Sequence, residues 1–177
     1  MKKFSLKPLC AAVILGAGSE AAMAADGEIN FTGKITNNTC AVTVKDLNSG
    51  AGNTVNLGDV STKSLDQANA VAGGGGFTLA ITGCDLTQLK TASVRLQSMS
   101  GTAGPNGQWI GINTGSGAAT NVAVQIKDFS DKDVQLGIAS TPYDVTQPLR
   151  FTTNYIATGV ATPGTVNAKA SFTVEYQ

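Results

Sequence analysis

Residues Ala25–Cys40 read ADGEINFTGKITNNTC. Side chains alternate between faces along an extended chain. Ile29, Phe31 and Ile35 therefore share one face, with Gly27 and Gly33 in the same phase. The pattern predicts a strand, yet no hairpin partner lies in the residues just before or after it. What this strand pairs with decides how the rest of the chain is read.

The residues ahead of it read as an export signal. MKK and Lys7 make a positive start, LCAAVILGA is a short apolar run, and Ala22, Met23 and Ala24 supply the small residues that signal peptidase needs at −3 and −1. Cleavage after Ala24 is expected, and Cys10 leaves with the signal. The apolar run is too short to span a bilayer. Removing those 24 residues from the 177 leaves 153, enough for one domain with its own core. It also removes Lys2, Lys3, Lys7 and Glu20, turning 12 basic against 12 acidic residues into 9 against 11. No basic patch is visible, so nucleic acid is not an expected partner. No later stretch approaches the 18 apolar residues of a membrane span.

Two cysteines remain, Cys40 and Cys84. An even pair in an exported chain reads as a disulfide. Two buried free thiols are the alternative. Metal binding is disfavoured, since the chain has no histidine and no close Cys–Cys spacing.

The body is all-β in texture: short alternating segments separated by Gly, Asn, Asp, Ser and Pro. CAVTV continues the extended chain to Val44. Val55 and Leu57 share a face in NTVNLGDV, and Phe77, Leu79 and Ile81 alternate in FTLAITGC. Val94 and Leu96 follow, then Val122, Val124 and Ile126, then Leu136 with Ile138 in VQLGI, then Leu149, Phe151 and Tyr155. The last alternation runs Val166, Ala168, Ala170, Phe172, Val174, Tyr176. At most a short helical turn is expected in KSLDQANAVA. An immunoglobulin-like Greek-key sandwich is the natural reading. No tryptophan lies between the two cysteines, unlike in antibody domains.

Chemical signals are sparse. Without histidine the usual general base at neutral pH is missing, and neither G-x-S-x-G nor S-x-x-K occurs, so an enzyme is disfavoured and no cofactor is expected. Gly73–Gly76 lacks the Lys-Ser or Lys-Thr of a phosphate loop and is expected to be a flexible loop. Asp128, Asp131 and Asp133 have calcium-like spacing, but the glycine and distal glutamate of a calcium loop are absent. A solvated hairpin turn between Ile126 and Val134 is expected instead. Trp109 is read as a packing residue over a sugar-stacking one.

The sequence stops inside an alternating strand, leaving that strand nothing further to pair with. Such an edge is an aggregation template unless covered. Unpaired strands are thus expected at both ends. At this point GEINFTGKITNNTCAV, TGCD, ATNVAVQIKD, NYIATGVATPGTVNA and the terminal FTVEYQ with its penultimate Tyr176 carry a resemblance over the whole mature chain. It is similar to subunits of the chaperone–usher pathway, type 1 and F17-like major fimbrial subunits. Gly164, fourteenth from the end, matches the glycine such subunits carry before their last strand.

The resemblance implies an incomplete immunoglobulin-like Greek-key sandwich, the pilin fold, lacking its seventh strand and completed by a donor strand. A periplasmic chaperone lends that strand first; at the outer-membrane usher the N-terminal extension of the next subunit replaces it. Residues 1–24 would be the signal, 25–35 the donor extension and 36–177 the pilin domain. Gly27, Ile29, Phe31, Gly33 and Ile35 would enter a neighbour's groove. Gly164, Phe172, Val174 and Tyr176 would belong to the acceptor-groove strand, which also meets the chaperone. The expected product is an extracellular fimbrium on the bacterial surface, a head-to-tail polymer of identical or related subunits serving adhesion. Host glycans would be met through a tip adhesin. Two alternatives stand beside the rod subunit: a minor adaptor, and a tip-associated subunit that binds glycans. The length leaves no room for a separate lectin domain, and a terminal adhesin needs no donor strand. ATGVATPG and TNVAVQI favour the major subunit, while the short extension before Gly27 also occurs in adaptors.

Overall fold

The computed structural model describes residues 40–177 apart from Ser49, Ala51 and Leu86. The expected signal at 1–24, the donor-phase residues Gly27, Ile29, Phe31, Gly33 and Ile35, and the boundary between residues 35 and 36 lie outside the described residues.

The alternating segments become strands. In chain order these are β1 (Ala41–Asp46), β2 (Val71–Thr82), β3 (Thr91–Ser98), β4 (Thr102–Ala103), β5 (Trp109–Ile110), β6 (Val122–Lys127), β7 (Tyr143–Asp144), β8 (Leu149–Ala157) and β9 (Ala170–Tyr176). Helix among the described residues is one 3-10 turn, Thr62–Leu65, started by the Ser61 hydroxyl accepting from the Lys63 amide. Two sheets form, ordered β1-β2-β8-β6-β5-β4 and β7-β3-β9. Every pairing of these strands is antiparallel. Sequence neighbours β2 and β3 lie in different sheets, and β8 returns between β2 and β6. These are the crossings of a Greek-key sandwich.

The inward faces meet as the alternation requires. Phe77 and Leu79 of β2, Val124 and Ile126 of β6, and Leu149 and Phe151 of β8 face Val94 and Leu96 of β3. Phe77 stacks on Phe151 with ring centroids 5.0 Å apart, and Tyr143 packs against Phe151 at 5.1 Å. The Tyr143 hydroxyl donates to the Arg150 carbonyl at 2.9 Å, so its polar end is satisfied inside the core. Burying a side chain such as Phe151 or Leu149 contributes about 1.5–3 kcal/mol.

Cys40 and Cys84 are disulfide-bonded, with Cα atoms 4.8 Å apart. They sit just outside the pair Ala41↔Thr82, where β1 and β2 run side by side. The bridge therefore staples neighbouring strands of one sheet, not the two sheets to each other.

Other expectations divide. Between Ile126 and Val134 the chain makes the hairpin turn, with the Asp128 amide donating to the Lys132 carbonyl and the Val134 amide to the Ile126 carbonyl. Asp128 is buried, and its carboxylate accepts from the Ser130 and Lys132 amides and the Thr141 hydroxyl. Trp109 is 7% exposed and packs with Ala123 and Ile156, which overturns sugar stacking and leaves packing. VQLGI is not a strand: Leu136 packs against the core, but the chain turns there and Ile138 is exposed. Gly73–Gly76 is not a flexible loop either. It lies inside β2, paired with β8 across a bulge between Ala72 and Gly75.

Candidate functional site

Among the described residues β9 is paired along one edge only. On β3 it registers Val94↔Val174, Leu96↔Phe172 and Ser98↔Ala170. Its other edge pairs with no strand among the described residues. Beside that edge runs a cleft of about 950 Å³. Phe172, Ala168 and Val166 form one wall, and Val55 and Leu57 the other. Phe77, Leu79, Val124 and Ile126 make the floor, so the cleft opens straight onto the main core. A strand inserted there would gain main-chain hydrogen bonds from β9 and apolar pockets beneath.

The opposite wall depends on the glycine run. The Leu57 carbonyl accepts from the Gly74 amide at 3.4 Å, the Asn56 carbonyl from the Asn48 amide group at 3.0 Å, and the Gly58 carbonyl from the Tyr155 hydroxyl at 3.0 Å. A Cβ at Gly75 would lie 2.6 Å from the Asn56 carbonyl oxygen. One at Gly73, whose φ is +71°, would lie 2.8 Å from the Tyr155 ring. No side chain fits there. The run lets the wall cross a strand at backbone distance.

A second recess of about 760 Å³ shares Asn56, Tyr155, Val166 and Asn167 with the cleft and so continues it. Gly164 lies here. A Cβ on it would fall 2.3 Å from the Ala119 amide nitrogen and 2.4 Å from the Ala118 carbonyl carbon. Thr165 meanwhile donates to the Gly117 carbonyl and accepts from the Ala119 amide. Gly164 thus seats the chain leading into β9. Burial, and then the charge of Asp59, raise the Tyr155 hydroxyl pKa.

Of the groove-strand residues expected from sequence, Phe172 lines the cleft and Gly164 its extension. Val174 and Tyr176 pack against the main core further along β9. Asn56, Gly73, Gly75 and Tyr155 are not legible as site residues in the sequence. Four glycines inside an alternating stretch are the signal of close backbone approach that could have found the wall.

A family model described as fimbrial protein matches residues 29–177. The chain belongs to that family. It is 35% identical to the type-1 fimbrial protein A chain of Escherichia coli strain K12 over 173 residues, covering 92% of this chain and 93% of that one. With the F17 fimbrial protein of Escherichia coli it shares 32% over 177 residues, covering 93% and 95%. Among solved structures it resembles the P pilus rod subunit PapA with a TM-score of 0.58 at 19% identity, covering 78% of this chain and 99% of that one. A chain of a chaperone–usher pilus superposes with a TM-score of 0.62 at 17%, covering 86% and 96%. The structural likeness is one of fold, and the sequence relationship makes this chain a fimbrial subunit with the pilin fold.

Proposed function

We propose that this fimbrial subunit polymerises head to tail by donor-strand exchange. Residues 25–35 of one copy add a strand to the open edge of β9 in the next and fill its cleft. The observation that carries this is a β9 edge that no strand pairs with among the described residues, lying beside a cleft floored by the core. Ile29, Phe31 and Ile35 fill pockets, each contributing about 1.5–3 kcal/mol before the cost of association. Gly27 and Gly33 admit close backbone approach. Gly164, Phe172, Val174 and Tyr176 belong to the accepting side. A periplasmic chaperone occupies the cleft first and an outer-membrane usher exchanges it. The signal at 1–24 is removed on export, and 36–177 forms the body of the extracellular subunit. Its role is structural, not enzymatic, and host glycans are met through a separate tip adhesin. The ATGVATPG and TNVAVQI runs favour the rod over an adaptor.

The test is Ile29→Asp or Phe31→Asp in cells supplying chaperone and usher. The expected result is an intact chaperone complex and no fibres by electron microscopy. Normal fibres would remove the donor role.

A further inference from the structure

We propose that Met99 is a modification site: oxidation of its thioether by a peroxide hinders the cleft from accepting a strand, and a strand already in place shields it. This rests on the donor-strand reading and adds to it the residue through which oxidants act on assembly.

Seven large apolar side chains are exposed among the described residues, and two of them, Phe172 and Met99, line the cleft. Met99 is the more open, 68% exposed against 37%. It follows β3 directly, and its amide donates to the Lys169 carbonyl at 2.8 Å, one step beyond the Ser98↔Ala170 pair. Its backbone is thus fixed at the end of the β3–β9 ladder, while the unbranched side chain keeps its freedom to turn. Leu96 and Ile110, both buried, line the same cleft. A thioether adapts to whatever apolar surface meets it, which suits the lining of a cleft that changes occupant.

The subunit offers a peroxide little else. With the signal removed, Met99 is the single methionine, and Cys40 and Cys84 are bonded to each other, so no free thiol competes. In the reaction a sulfur lone pair attacks one peroxide oxygen and the O–O bond breaks. With hydrogen peroxide the second oxygen leaves as water after a proton transfer. Sulfur loses two electrons, the peroxide gains two, and the side chain keeps one oxygen. The product is a polar, chiral sulfoxide. An incoming strand must then strip water from the S–O dipole, or leave the side chain turned outward and the apolar surface beside it uncovered. Either course slows acceptance.

The experiment exposes the chaperone-released subunit and assembled fibres to hydrogen peroxide, and reads the gain of one oxygen at Met99 by mass spectrometry. Oxidation should be at least about five-fold slower in fibres, since susceptibility follows exposure. Treated and untreated subunits are then offered a synthetic peptide of residues 25–36, which holds no methionine or cysteine. Treatment should slow peptide uptake about ten-fold, as burying an unpaired polar group demands. The two methionine sulfoxide reductases, one for each epimer, should return the rate to within about two-fold of its starting value. A Met99→Leu subunit should take up peptide at the same rate before and after peroxide. Equal oxidation in fibres and released subunit, undiminished uptake by the oxidised subunit, or a Met99→Leu subunit that peroxide slows as much as the parent overturns the proposal. A Phe31→Asp peptide taken up by the untreated subunit as fast as the unaltered one overturns the donor-strand reading instead.

Discussion

Phe172 stands directly opposite Leu96 in the β3–β9 ladder, yet Leu96 is 3% exposed and Phe172 37%. Two apolar residues at one level of one sheet face different surroundings because Leu96 has β9 on one side and, on the other, the Gly137 amide donating to its carbonyl next to the Arg95↔Ala139 bridge, whereas Phe172 has no further strand beside it among the described residues. Among the described residues the core is therefore uncovered along one line, and that line is the cleft.

Phe172→Ala should separate folding from assembly. The ring is partly exposed, so the unassembled subunit should lose about 1 kcal/mol, whereas fibres, where the ring becomes covered, should lose about 3 kcal/mol or more per junction. Thermal dissociation of fibres against unfolding of the chaperone-released subunit measures both. Equal losses would mean that the ring gains no cover on assembly.

Replacing Gly164 by alanine pushes a methyl group against the Ala118–Ala119 backbone, which has no rotamer through which to yield. A loss of about 2 kcal/mol or more is expected, read as a lower urea midpoint with an unchanged slope.

The glycine run should not respond uniformly. Gly75→Ala should displace the wall at Asn56 and impair fibre formation, since its Cβ would lie 2.6 Å from that carbonyl oxygen. At Gly74 the nearest atom would be Asn154 Oδ1 at 3.9 Å, so Gly74→Ala should change stability by less than about 0.5 kcal/mol. Equal effects from the two would indicate that the run matters only through strand propensity.

Acid should act through Asp128. Burial pushes its pKa up, but hydrogen bonds from Thr141, Lys132 and Ser130, with the Lys132 charge, outweigh that and hold it below the usual 3.8. A carboxyl group with a depressed folded-state pKa stabilises fully above its unfolded value and loses that contribution as pH falls through the folded value. The subunit should therefore hold its stability down to about pH 4 and lose it below. Asp128→Asn should flatten that acid limb and cost about 1–3 kcal/mol at pH 7. An unchanged limb would place the acid sensitivity elsewhere.

Reduction of the Cys40–Cys84 bridge, or Cys40→Ser with Cys84→Ser, should cost about 2–4 kcal/mol, because the bridge closes a long loop in the unfolded chain. Urea titration with and without reductant reports it.

Local pattern was enough for the strands that pair with near neighbours or fill the core. The alternation Phe77, Leu79 and that of Leu149, Phe151 named their inward faces without help, because side-chain period and burial agree along a strand. The turn at Asp128 was equally legible, since its capping bonds span only a few residues. VQLGI looked like another strand, but its backbone bonds scatter, the Val134 amide donating to the Ile126 carbonyl, Gly137 to Leu96 and Ile138 back to Gln135, so no ladder forms. An apolar pair says nothing about whether a partner's hydrogen-bonding edge is available.

The sequence by itself determined the all-β class and the alternation that marks β9 as a strand, from composition and short-range periodicity, and its cysteine count pointed to the Cys40–Cys84 bond that the structure contains. Only the tertiary structure decided where the gap in the core lies and what borders it. Gly73 and Gly75 became part of a wall because residues 56 and 57 cross them from nearly twenty positions away in the chain. Gly164 became a seat for β9 because Ala118 and Ala119 come within contact of its backbone. Contacts of that kind depend on how the sheets pack, which no local pattern encodes.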